Sequence, residues 1–275
     1  GMQPLMPVFA QDFHVSPAAT SGVISAATGA MALALIPASI LANRYGRKPV
    51  MNASLLLAAL LTLLCTVVQS FHQLVILRAL LGVALAGLPA VAMAYLSEEI
   101  DPDVLGRTIG LYIAGNALGG MFGRFAMAIL SDHVSWRAAT LVLGSMALLS
   151  ALEFWRSLPA SKHFRATSVT FKRTVAAARR HFSDAGLPWL FLTGFILMGC
   201  FVSLFNYLAF RLAAAPYGYS QSQISLIYSL NAAGIFAAGW AGTLADRLGR
   251  RNVLWIMVLS MLAGLLLTLA SPIAP

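Results

Sequence analysis

Apolar residues run along this chain in blocks of about two dozen, separated by short polar gaps. A helix needs about 20 mostly apolar residues to cross a bilayer. Blocks of that length lie near 17–42, 49–70, 74–96, 107–130, 137–157, 187–210 and 223–245, with a further one near 252–271. The first residues, MQPLMPVFAQDF, read as the end of another. Ser16 before Pro17 predicts a helix start, because serine caps free amides and proline suits the first helical position. Ser220 predicts the same for the block near 223. Pro159 and Pro188 bracket the one long polar gap, 158–186, within which 171–182 could form a basic amphipathic helix.

Composition agrees with a membrane chain. Hydrophobic residues make up 59% and charged residues 10%, against roughly 25% charged in soluble domains. Mean hydropathy is +0.81. One globule cannot hide so much apolar surface, so the bilayer is the expected solvent. The net charge of +9 would suit nucleic acid if it formed a patch. Instead the cations occupy the gaps. Of the 18 Lys and Arg, all but four fall in gaps on one side; Arg137 and Arg211 lie on the other, and Arg78 and Arg124 lie within spans. The positive-inside rule makes the cation-rich side cytoplasmic, including the gap 158–186. Cys65 and Cys200 both lie in apolar blocks and imply neither a disulfide framework nor a metal site. No cofactor is expected.

The gap SILANRYGRK (39–48) resembles GTLADRLGRR (242–251). At that offset Arg44, Gly46 and Arg47 align with Arg247, Gly249 and Arg250. Ala30, Ala34, Ala38 and Ala42 align with Ala233, Ala237, Ala241 and Ala245. Small residues four apart form a ridge for close packing between membrane helices. Two such pairs imply two homologous halves about an axis along the membrane normal. The expected organisation is an N-terminal bundle over 1–157, a cytoplasmic loop over 158–186 and part of a C-terminal bundle over 187–275.

The turn G-x-L-A-D-R-x-G-R-R/K resembles the signature of the major facilitator superfamily between its second and third helices. The copy at 242–251 matches with Gly242, Asp246, Arg247, Gly249, Arg250 and Arg251; the copy at 39–48 has Ser39 for glycine and Asn43 for aspartate, followed by Arg44, Gly46, Arg47 and Lys48. Arg78 and Gly82 match the family's R-x-x-x-G, Ser135-Trp136-Arg137 resembles the opening of its sixth helix, and Leu158-Pro159 its close. The stretches 78–100 and 110–124 resemble bacterial inner-membrane members. The resemblance implies an all-α polytopic fold of two pseudo-symmetric bundles, running from the end of family helix 1 through helix 9, with the second bundle incomplete. It implies a secondary transporter working by alternating access, exporting a small organic solute or drug, with protons as the candidate coupling ion. The alternative is a truncated product that does not transport.

The same resemblance assigns the basic turns to a cytoplasmic latch, with Asp246 expected to meet Arg107 at the start of family helix 5. Arg78 is costly inside a membrane helix and is read as a coupling residue. Tyr112, Asn116, Gly120 and Arg124 recur every four residues and share one side of a helix, beside a close-packing row of Gly115, Gly119 and Gly123. The polar residues Asn206, Tyr207, Tyr228 and Asn231 join Tyr112, Asn116 and Arg124 as candidate cavity residues. The only acid well inside a span is Glu153, with Arg156 one turn away. An intramembrane enzyme is disfavoured: the chain has no His-Glu-x-x-His, no Gly-x-Ser-x-Gly in a span and no paired in-span aspartates.

Overall fold

The computed structural model describes residues 2, 5–159, 161, 164, 176, 179–180, 182–215, 217–229, 244 and 248–270. Among them there is no strand. The short α1 (Met6–Asp12) and α2 (Pro17–Thr20) lead into α3 (Gly22–Tyr45). There follow α4 (Arg47–Leu64), α5 (Phe71–Leu85), α6 (Pro89–Glu99), α7 (Pro102–His133) and α8 (Trp136–Ser157). Beyond the long gap lie α9 (Leu187–Ala213), α10 (Gln221–Ser229) and α11 (Arg250–Ala270).

Local chemistry sets these boundaries. The Ser16 hydroxyl accepts from the Ala19 amide at 3.2 Å, as the Ser-Pro pair predicts. Ser70 and Gln73 form a reciprocal capping box, and Ser220 and Gln223 form another: the Gln223 amide donates to Ser220 Oγ at 3.3 Å, and the Ser220 amide to Gln223 Oε1 at 2.9 Å. Gly46 ends α3 at φ +102°, which side chains with a Cβ rarely adopt. Its repeat partner Gly249 also has positive φ, at +82°. The two aligned turns therefore share a backbone device as well as a sequence.

One expected span is not a single helix. The block 74–96 is divided between α5 and α6 by a turn at 86–88. Pro89 causes the break: it has no amide to donate, and its ring would clash with the Leu85 carbonyl in a continuous helix. The block 223–245 is described as α10 only as far as Ser229.

Among the described residues, five stretches are long and apolar enough to cross a membrane: Pro17–Tyr45, Arg47–Val67, Asp103–His133, Trp136–Ser157 and Leu187–Leu204. Large apolar side chains face outward along them, Leu33 at 82% and Phe195 at 76% exposure. In water that surface would be prohibitive; in lipid it is solvated. This is an all-α multi-pass membrane protein. Within it α3 packs on α5, α4 on α5 and α8, and α7 on α8; α9 touches α1, and α10 packs on α7.

Candidate functional site at the two ends of the bundle

The turn between α3 and α4 carries the first basic motif. Arg47 grips Glu98, near the end of α6, with one edge of its guanidinium: Nε donates to Oε2 at 3.1 Å and Nη2 to Oε1 at 2.7 Å. Its third arm, Nη1, donates to Asn43 Oδ1 at 2.7 Å. Arg47 is 11% and Glu98 31% exposed, so the pair is partly shielded from water. A forked, half-buried pair fixes geometry in a way that a single exposed pair does not. Asn43 is the residue that departs from aspartate. Here its amide oxygen steers the arginine without competing for its charge.

Two neighbours hold the turn from outside. Lys48 Nζ donates to the Leu158 carbonyl, and Tyr95 Oη donates to the Pro159 carbonyl at 3.2 Å. The Phe164 ring lies 5.6 Å from the Arg47 guanidinium carbon. The Leu158-Pro159 stop is thus fastened to the first basic turn. Arg44 points away, exposed, over the Tyr45 ring.

Glu98 was overlooked by reading acids only within spans. A signal was present. A carboxylate at the C-terminal end of a helix faces the negative end of the dipole, and Glu98 and Glu99 both sit there. Such a placement calls for a cation from another element.

At the opposite end of the bundle, Asp12 accepts from Trp136 Nε1 at 3.0 Å and from Arg137 Nη1 at 3.1 Å. Arg137 also donates to the Val68 carbonyl at 3.2 Å. Beneath, the Phe9 and Trp136 rings meet edge to face at 5.2 Å. The Trp-Arg dipeptide that opens α8 therefore ties α1, the α4–α5 connection and α8 together.

Between the ends, Arg78 and Gly82 lie one turn apart on α5, against Val23 and Ala27 one turn apart on α3. Arg78 Nε donates to the Val23 carbonyl at 3.4 Å. A Cβ at Gly82 would come within 2.0 Å of the Ala27 carbonyl oxygen. The R-x-x-x-G pair is thus the register mark of the α3–α5 crossing. The family model of the Major Facilitator Superfamily matches residues 1–274. The chain belongs to this superfamily.

Among curated relatives, the inner membrane transport protein YnfM of Escherichia coli is 44% identical over 253 residues, 92% of this chain and 61% of the relative. The uncharacterized MFS-type transporter YybF of Bacillus subtilis is 39% identical over 273 residues, 99% of this chain and 68% of the relative. A gallate transporter of Pseudomonas putida is 29% identical over 174 residues, 63% of this chain and 39% of the relative. The chain thus spans about three fifths of the length of YnfM. Membership of the superfamily accords with the multi-pass helical architecture described above.

The remaining candidates of this superfamily member are scattered. Tyr112 lines an apolar cavity of about 330 Å³ with Met51, Tyr95, Phe154 and Leu158, inside the group of helices α4, α6, α7 and α8. Asn116 is exposed on α7. Arg124, half-buried, lies back along α7 toward Gly120. Tyr207 is exposed on α9, whereas Tyr228 is buried with Leu212 and Ile224. Around Gly115, Gly119 and Gly123 no described atom lies within 4 Å of an added Cβ, so the described helices do not use the expected glycine row. Ser39, within α3, and Lys48, next to the Gly46 turn, are half-buried, and Arg107 and Arg251 are exposed. Asn231, Gly242, Asp246 and Arg247 lie outside the described residues, as do the side chains of Asn206 and Arg250. Most of the basic stretch 171–182 lies outside them too.

Proposed function

We propose that this chain forms the translocating framework of a secondary active transporter that works by alternating access and exports a small organic solute. The Arg47–Glu98–Asn43 junction carries this reading. It locks the ends of α3, α4 and α6 into one block. Alternating access is largely a rigid-body movement of one half against the other, and a block with a pinned end can rock without deforming. The second basic turn, 242–251, would play the matching part in the other half.

On this reading the basic turns and the loop 158–186 are cytoplasmic, and Asp12, Arg137 and Asp132 face the other side. Residues 1–157 form the first bundle and 187–275 belong to the second. Asp246 would meet Arg107 or the free amides beside it when the cytoplasmic side closes. Asn116, Arg124, Asn206 and Asn231 would face the solute path, because polar groups against lipid are penalised. The gallate transporter among the relatives supports a small organic acid as the first solute to try, with protons as the coupling ion.

Reconstitution in proteoliposomes with an imposed pH gradient tests this. A panel of aromatic acids and cationic drugs should include at least one solute whose flux follows the gradient and is lost in Arg47→Ala. Well-folded protein that moves no member of the panel under either gradient polarity would refute the reading.

A further inference from the structure

Asp132 stands in the last turn of α7, at the negative end of that helix's dipole. The dipole of its own helix disfavours an acid there. Its carboxylate serves a different element: the Ser222 amide donates to Asp132 Oδ2 at 2.6 Å. Ser222 is in the first turn of α10, where amides lack partners within the helix. The Ser220–Gln223 capping box covers two donors, and Asp132 covers a third. An acid misplaced on one helix is correctly placed for the positive end of the next. Glu98 follows the same logic at the other end of the bundle, with Arg47 as its partner.

The contact also joins the two parts of the chain. α7 precedes the long polar gap and α10 follows it. The start of α10 is firmly seated on α9 through Leu212, Ile224 and Tyr228, so α10 cannot follow Asp132 without carrying its neighbours. The packing around it is not otherwise well satisfied: Ser222 Oγ and Ser225 Oγ are buried with no hydrogen-bond partner among the described residues.

We propose that Asp132 is a positioning residue of the transport cycle, holding the face opposite the basic turns closed by capping α10 across the boundary between the halves. The proposal rests on the alternating-access reading. When that face opens, the carboxylate leaves the Ser222 amide and both return to water.

The test measures distance and needs no substrate. Spin labels at Val134→Cys, beside the end of α7, and Ala215→Cys, in the turn after α9, report separation of that face in nanodiscs, with Cys65 and Cys200 replaced by alanine. Asp132→Ala should raise the long-distance population about fivefold, the weight of one lost cap. Asp132→Asn, which keeps an acceptor, should restore much of the closed population. Ser222→Pro removes the donated amide without touching Asp132, and proline is tolerated in a first helical turn. It should give the same shift, and the double variant should add nothing further. Distance distributions that superimpose in wild type, Asp132→Ala and Ser222→Pro overturn the proposal, as do additive shifts in the double variant. A protein that opens as described but moves no solute retracts the transport reading alone. Transport with superimposable distances retracts the latch alone.

Discussion

Gly82→Ala adds one methyl group at the α3–α5 crossing. The new Cβ would stand 2.0 Å from the Ala27 carbonyl oxygen and 3.0 Å from its Cα. Carbon and oxygen in favourable contact sit about 3.3–3.6 Å apart, so the two helices must separate locally by about 1.3 Å. The obstacle is backbone that is itself hydrogen-bonded along α3, and no rotamer change can move it. Separation would also pull Arg78 Nε from the Val23 carbonyl, already at 3.4 Å. Overpacking costs about 1–3 kcal/mol, and an immovable neighbour puts this case at the upper end. Alanine's better helix propensity returns about 1 kcal/mol. The net is about 2 kcal/mol of destabilisation, roughly a 30-fold change in the folded ratio. Thermal unfolding of detergent-purified protein, read by size-exclusion, should show a lowered midpoint. Gly29→Ala is the control: no described atom lies within 4 Å of its added Cβ, so it should be neutral or stabilising by up to about 1 kcal/mol. If Gly82→Ala unfolds at or above the wild-type temperature, the close crossing is not what the R-x-x-x-G pair provides.

Arg47→Lys keeps the charge but loses the fork; a cysteine at Ala92, which is buried on the same helix as Glu98, should become more accessible to maleimide, and unchanged labelling would count against the junction. Asp246→Asn should impair transport while membrane insertion stays normal; full transport would reduce the second basic turn to a topology signal. At the other end Asp12→Asn should cost no more than about 1 kcal/mol, because both partners are about 40% exposed. Trp136→Ala, which empties the aromatic cluster, should cost about 3–5 kcal/mol; equal midpoints for the two variants would refute that ranking.

Much of the fold was legible in the apolar blocks, because a bilayer imposes a length and a composition on anything that crosses it. The repeat was legible as well, and Gly46 and Gly249 share its backbone signature at φ +102° and +82°. The division of 74–96 could have been read from Pro89, but a block-length count passes over one proline inside an apolar run. Arg78 and Gly82 were recognised as a pair. That they meet Val23 and Ala27 was not readable, because helix periodicity says which residues share a face and not which neighbour that face meets.

The sequence by itself determined the solvent, the number and order of the apolar blocks, the basic turns and the superfamily. These follow from local composition and from motifs a few residues long. The tertiary structure alone decided who answers each misplaced charge: Arg47 for Glu98, 51 residues away, Arg137 for Asp12, 125 away, and the α10 amide for Asp132, 90 away. A charged group at a helix end announces that it needs a partner. Which partner arrives depends on how the helices are stacked, and stacking in lipid is set by shape and close packing that no single stretch of chain contains.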